Sequence, residues 1–256
     1  MTEEPQEGAA DRYRAPALDK GLDILEILAD QARGLTRAEI VKEMGLSASQ
    51  IYRMLERLVA RGYVMRLEGG DRYALTMKLY LLATRHPPLR RLVAQAQPLM
   101  DEFARDQRQS CHLVVPEQGT GIVVAQATPM GHWEFRARLG GQLDLFTTGS
   151  GRTLLAFQHP DRIVDTLGIW GVAQASERLA GIGLHLEDVR KQGARVEPSA
   201  QLVGVTDLSV PVLGPGAEAI AVLTCAYIDH PEDDGKAGRD SALAALKTLA
   251  HCLSEE

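Results

Sequence analysis

The stretch from Gly34 to Leu75 constrains this chain more than any other. From Gly34 to Val64 it reads G-L-T-R-A-E-I-V-K-E-M-G-L-S-A-S-Q-I-Y-R-M-L-E-R-L-V-A-R-G-Y-V, and L-E-G-G-D-R-Y follows from Leu67. Thr36 with Glu39 three residues on is a capping box, so a helix opens there. Ile40, Val41 and Met44 share one face of it. Gly45 stands where the helix must stop and turn, a place that favours a residue without Cβ. Ser47 with Gln50 reads as a second capping box, and Ile51, Leu55, Leu58 and Val59 make the inward stripe of a second helix. Gly62 ends that helix. Tyr63 to Met65 and Tyr73 to Leu75 read as strands joined at Gly69-Gly70. Two short helices round a glycine turn, followed by a hairpin, are the layout of a winged helix-turn-helix, which puts one helix into the DNA major groove. A helical hairpin with solvated charges would share some of these marks. Two capping boxes in register with the turn glycine argue for the reader.

The outward face of the second helix is small and polar at its N-terminal end and cationic further on. Thr36, Ser47, Ala48, Ser49, Gln50, Tyr52, Arg53 and Arg57 are the residues expected to meet DNA. Short polar groups reach base edges, and arginines reach phosphate or guanine. Arg66 and Arg72 flank the hairpin tip, suited to backbone phosphate.

The net charge of −6 looks wrong for a DNA binder until it is divided along the chain. Residues 1–10 hold three Glu and no Lys or Arg, residues 11–90 hold 14 Lys and Arg against 10 Asp and Glu, and residues 91–256 hold 14 against 21. A basic module is thus joined to an acidic one. The length of 256 residues suits two ordinary domains. No apolar run approaches the ~18 residues of a membrane span, and the acidic start M-T-E-E-P-Q-E lacks the regions of a signal peptide. Cys111, Cys225 and Cys252 are too few and too scattered for a disulfide framework, so reduced thiols and a cytoplasmic location are expected.

The expected order is a flexible tail (1–14), the winged reader (15–80), a linker helix (81–107) and a second domain (108–256). Leu22, Leu25 and Leu28 place an amphipathic helix over residues 18–29. His86-Pro87-Pro88 breaks the chain. Residues 89–107 read as a helix, with Pro98 implying a kink or a join. Beyond residue 110, strands are expected at 111–115, 121–126, 133–139, 202–212 and 219–228. Helices are expected from about Arg152, at 161–167, at 186–193 and at 239–254. This is an α+β pattern, an antiparallel sheet with helices against it.

The whole chain from about Ala15 resembles the IclR family of bacterial transcriptional regulators. The resemblance rests on A-L-D-K-G-L-D-I-L-E-I-L-A from Ala17, G-L-T-R-A-E-I from Gly34, the helix at 47–62, T-T-G-S-G-R-T-L-L-A-F at 147–157, V-R-K-Q-G-A at 189–194 and G-V-T-D-L-S-V-P-V at 204–212. It implies a winged helix-turn-helix, a linker helix and a GAF-like C-terminal domain that binds a small effector. It also implies dimers on a pseudo-palindromic operator in double-stranded DNA, often paired into tetramers, and control of metabolic operons. The chain departs from the family in one region. Members often carry an acidic pair before the G-V motif, but here R-V-E-P-S-A-Q-L-V-G-V keeps only Glu197. Asp207 stands where a cysteine or small residue is common.

For the effector, the expected residues are Trp133, Phe135, Gly149, Ser150, Gly151, Glu197, Val205, Asp207, Leu223 and Cys225. Gly149 to Gly151 precede a helix, whose N-terminal N–H groups attract an anion; an ordinary strand-to-helix turn reads the same way. Trp133 and Phe135 supply an apolar wall or plain core. Asp207 within an apolar strand needs a partner. Leu223 and Cys225 alternate along the strand expected at the pocket floor. The partner implied is a small organic acid, and no cofactor is called for. A catalytic reading has little to stand on. Cys111 and His112 are strand neighbours on opposite faces, T-G-S-G is not a nucleophile elbow, and no histidine pair has metal-ligand spacing.

Overall fold

Gly21, Ile24, Leu25 and Leu28 recur at helical spacing, and they bury one face of α1 (Pro16–Ala29). In a computed structural model the chain divides into two units, Met1–Pro87 and Pro88–Glu256; the structure describes residues 15–67, 69–131, 135–229 and 235–254. The stripe in α1 runs through Ile24 where the sequence pattern had placed Leu22. Leu22 and Leu18 instead face solvent. The tail at 1–14 and Trp133 lie outside the described residues.

After α1 come β1 (Leu35–Thr36), α2 (Arg37–Met44), α3 (Ala48–Ala60), β2 (Val64–Arg66), β3 (Arg72–Leu75) and α4 (Lys78–Ala83). The core joins Ile24 and Leu28 of α1 to Ile40, Ile51, Leu55, Val64 and Tyr73. Each such side chain contributes roughly 1.5–3 kcal/mol on burial. The wing is a three-stranded sheet in the order β1-β3-β2, where two strands were expected. The extra strand depends on Gly34, since a Cβ there would lie 2.4 Å from the Tyr73 carbonyl oxygen. Gly45 closes α2 in the left-handed conformation at φ 62°.

The second unit contains α5 (Pro87–Gln107), β4 (Cys111–Glu117), β5 (Thr120–Ala127), β6 (Gln142–Asp144), α6 (Gly149–Ala156), α7 (Pro160–Ile169), α8 (Ala175–Gln192), β7 (Arg195–Pro198), β8 (Val205–Leu213), β9 (Ala219–Ile228) and α9 (Gly235–Leu253). Pro98 lies inside α5, so the segment is one helix and not two joined ones. The six strands are antiparallel, in the order β6-β5-β4-β9-β8-β7. Met100 and Phe103 of α5 and Leu246 and Leu249 of α9 pack with Leu113, Leu208 and Leu223 on one face. Leu154 of α6, Leu167 of α7 and Val189 of α8 pack with Val114, Val123 and Val222 on the other.

Three expectations change here. Residues 135–139 form no strand, and Gln142–Asp144 takes the edge place beside β5. The polar segment before Leu186 is helical as well, so α8 starts at Ala175. The strand expected from Leu202 begins at Val205, after a short edge strand at Arg195–Pro198.

Candidate DNA-reading face and effector cavity

In the first unit, Thr36 and Glu39 close the capping box as the spacing predicts. The Glu39 backbone N–H donates to Thr36 Oγ1 at 3.2 Å, and the Thr36 N–H donates to Glu39 Oε2 at 2.7 Å. The Thr36 N–H foremost, and the Thr36 hydroxyl donating to the same carboxylate at 3.0 Å, lower the Glu39 carboxyl below its ordinary range. Thr36 is thus occupied within its own helix cap. Ser47 is the N-cap of α3 by position but makes no side-chain cap; its hydroxyl meets Ser49 Oγ at 3.3 Å instead. The second capping box is therefore absent.

Ser47, Ala48, Ser49, Gln50, Tyr52, Arg53 and Arg57 are all exposed. The two wing arginines are less open than their place in the sequence implied. Arg66 pairs with Glu56 of α3. Arg72 donates to the Gly34 carbonyl oxygen at 3.0 Å and to Glu39 at 3.3 Å. Its guanidinium thus ties β3 to the chain before β1 and to the α2 cap, while the side chain stays 40 % exposed. Arg37, which the pattern did not single out, covers the Tyr52 ring at 4.7 Å and reaches the Tyr73 hydroxyl at 3.4 Å. Its signal was a basic residue opening a helix beside an exposed aromatic.

In the second unit a cavity of about 350 Å³ opens between the sheet, the first turn of α6 and the segment at 135–141. Phe135, Gly149, Ser150 and Asp207 line it, together with His112 and Thr224. Thr148 caps α6, accepting from the Gly151 N–H at 3.1 Å, so Gly149 to Gly151 form the first helical turn itself and not the loop before it. Ser150 Oγ lies 2.8 Å from Thr224 Oγ1 and 3.4 Å from His112 Nε2. Thr224 Oγ1 lies in turn 2.9 Å from Ser209 Oγ. The result is a chain of hydroxyls across β9 and β8. Burial holds the His112 imidazole down to about 4, so it is neutral near pH 7.

Five expected effector residues lie elsewhere. Leu223 and Cys225 sit in the core against α5 and α9. Side chains alternate along a strand, so Thr224 and Ala226 face the cavity. Gly151 is buried against the chain at Asp144 and Leu145, where a Cβ would meet the Asp144 carbonyl oxygen at 2.4 Å. Val205 is buried at the start of β8 opposite Ile228 and does not line the cavity. Glu197 also stands outside the lining, bonded to Arg195 at 2.9 Å and paired with His185 at 3.3 Å.

Asp207 has found the partner its position required. Its carboxylate lies 3.8 Å from Arg195 Nη1. Burial raises its carboxyl above the ordinary range, Ser199 and Arg195 pull the other way, and Glu197 adds to the rise. Arg195 is itself almost wholly enclosed, its side chain 2 % exposed, and its Nε and Nη1 have no hydrogen-bond partner among the described residues. Both groups press on the first residue of α6. A Cβ on Gly149 would stand 2.8 Å from Arg195 Nη1 and 2.9 Å from Asp207 Oδ2. A missed signal for this floor was the run of polar residues at every second place, Asp207 and Ser209 on β8, in otherwise apolar strands.

Residues 17–68 match the IclR helix-turn-helix domain, and residues 89–255 match the bacterial transcriptional regulator IclR C-terminal domain. The chain belongs to the IclR family of bacterial transcriptional regulators. Among IclR relatives, the HTH-type transcriptional regulator KdgR of Escherichia coli is 26 % identical over 212 residues, covering 81 % of this chain and 80 % of that one. The acetate operon repressor of Salmonella typhimurium is 21 % identical over 84 % of this chain and 76 % of its own. An IclR homolog from Microbacterium hydrocarbonoxydans, solved in complex with 4-hydroxybenzoate, shares the fold at a TM-score of 0.71 and 21 % identity, over 93 % of this chain and 97 % of that one. Among the described residues, no helix of this IclR chain is long and apolar enough to cross a membrane.

Proposed function

We propose that this IclR-family regulator controls a metabolic operon by binding its operator as a homodimer or larger assembly and answering to a small anionic organic effector in the C-terminal unit. The observation that carries the effector reading is the 350 Å³ cavity, at the low end of the range for small-molecule sites. Its walls combine apolar surface from Val123, Phe135 and Leu143 with a few convergent polar groups. The complex of the Microbacterium homolog with an aromatic acid supports a ligand of this class.

The anion belongs on the side of Arg136 and Arg138, which line the cavity on the segment opposite the sheet. The first turn of α6 is a poorer place for it than the glycine pattern implied, because the Asp207 carboxylate already lies against Gly149. Ser150 contacts the body of the ligand. On the DNA side, Ser49, Gln50 and Arg53 reach base edges, with Arg57 and Arg66 on phosphate.

A single helix-turn-helix spans too few base pairs to be selective among ~10⁶ or more genomic sites. Leu18 and Leu22 on α1, and Leu79, Tyr80, Leu81 and Leu82 on α4, are exposed apolar side chains of the first unit. They fit a surface covered by a second copy. The effector reading is tested by thermal shift of the full chain against a panel of organic acids, with Ser150→Leu as the blocked control. At least one acid stabilises the parent and fails to stabilise Ser150→Leu. No shift with any acid overturns the reading.

A further inference from the structure

The end of the cavity floored by Asp207 is built to receive a hydrogen-bond donor. A carboxylate offers about four lone-pair sites. Here Arg195, at 3.8 Å, is an ion-pair neighbour beyond hydrogen-bond reach. The Asp207 side chain remains 13 % exposed and lines the cavity. Beside it the wall presents Ser150 and Thr224, hydroxyls that both donate and accept, and a neutral imidazole at His112. A ligand carboxylate placed there would face Asp207 with like charge. A purely apolar group would strip water from Asp207 and leave its lone pairs unmet, at the full desolvation cost of a charged acceptor. An ammonium group is disfavoured as well. The Arg195 guanidinium already supplies a positive charge beside Asp207 and is itself short of acceptors. A neutral O–H satisfies Asp207 without adding charge.

We propose that Asp207 is the specificity-determining residue of this cavity, and that it selects hydroxylated carboxylic acids by accepting a hydrogen bond from a ligand hydroxyl while the ligand carboxylate lies toward Arg136 and Arg138. This rests on the effector reading above and narrows it. Arg195 acts through Asp207 as a positioning residue. Its guanidinium, from the start of β7, stands against the Gly149 turn and supplies the positive charge beside the acceptor. Selection of this kind is sharp. A site made to hydrogen-bond a ligand hydroxyl rejects the analogue that lacks it far more strongly than an apolar pocket rejects a missing methylene.

The test is calorimetric titration of the full chain with two matched pairs, gluconate against hexanoate and 4-hydroxybenzoate against benzoate. The parent is expected to bind the hydroxylated member of at least one pair tenfold or more tightly than its partner. In Asp207→Ala that ratio falls to near one, while affinity for the unhydroxylated acid holds or rises. Asp207→Leu, of similar size but with no acceptor, serves if the alanine variant does not fold, and the same fall is expected. Acids that bind the parent with no preference for the hydroxylated member, or a preference that survives in both variants, overturn the assignment of Asp207 and leave the effector reading standing. No binding by any of the four acids, nor by the wider acid panel, overturns both.

Discussion

Arg53 and Arg72 are cations of the same small unit in different surroundings. Arg53 stands on the open face of α3 with no side-chain ion pair or hydrogen bond among the described residues. Arg53→Ala is therefore expected to weaken specific operator binding by about 1–3 kcal/mol and to leave the unfolding midpoint almost unchanged. Arg72→Ala loses the bond to the Gly34 carbonyl and the contact with Glu39. It is expected to lower the unfolding free energy by about 1 kcal/mol, read by urea titration, with the salt slope of DNA binding unchanged. A reduced salt slope would return Arg72 to the phosphate contacts. His112 gives a pH signature of its own. Its folded-state value near 4 lies below the ordinary 6.5. The unfolded chain thus takes up a proton as pH falls through 6.5, and the folded chain does so only near 4. Protonation favours unfolding across that window, so stability falls as pH drops from about 6.5 to about 4. His112→Gln should flatten that part of a stability-against-pH curve measured by chemical denaturation, and an unchanged slope would place the imidazole in a wetter setting.

At the scale of elements, what was legible in the sequence was whatever local pattern decides. The Thr36–Glu39 box, the turn at Gly45 and the strand at Ala219–Ile228 follow from residues a few positions apart. The Ser47–Gln50 pattern misled because Ser47 found a nearer partner in Ser49. The start of α8 was hidden by Gly181 and Gly183, which weaken a helical reading but are tolerated within a packed helix. The edge strand at Arg195–Pro198 ends in proline, which reads as a strand break yet is permitted at a sheet edge. The cavity was half legible. Phe135, Gly149, Ser150 and Asp207 lie where expected, but the β9 residues were assigned to the wrong face, since a strand of apolar residues buried on both sides gives no alternation to read. Thr224, the one aliphatic hydroxyl in that strand, marked the cavity side. The α6 turn offers a direct check on packing. Gly151→Ala places a Cβ 2.4 Å from the Asp144 carbonyl oxygen and 2.5 Å from the Leu145 Cα, both backbone atoms with little room to move. It should cost on the order of 1–3 kcal/mol of stability, where Gly181→Ala, with nothing within 4 Å, should be neutral or stabilising.

For the whole molecule, the division of charge matches the division of labour. The acidic excess lies wholly in the unit that carries the cavity, with 15 Lys and Arg against 21 Asp and Glu, while the unit that carries the reader is balanced at 13 of each. That arrangement concentrates attraction for DNA on one module and keeps the rest of the surface from binding nonspecifically. The exposed leucines of α1 and α4 predict assembly. The protein should be at least dimeric by light scattering at micromolar concentration, and Leu81→Glu should shift it toward monomer and weaken operator binding. A parent chain that is monomeric both free and on DNA would refute the assembly. A ligand moves the DNA equilibrium only by its differential affinity for the forms that do and do not fit the operator, so cavity and reader must be coupled for the effector to matter. The most direct test is an anisotropy titration of a fluorescent operator duplex, chosen by selection from genomic fragments, with the full chain in the presence and absence of the organic acid that most stabilises it. The account predicts that the acid changes operator affinity tenfold or more and that Ser150→Leu binds the same duplex but does not respond. Operator affinity that no bound acid alters, or a Ser150→Leu response equal to the parent's, would contradict it.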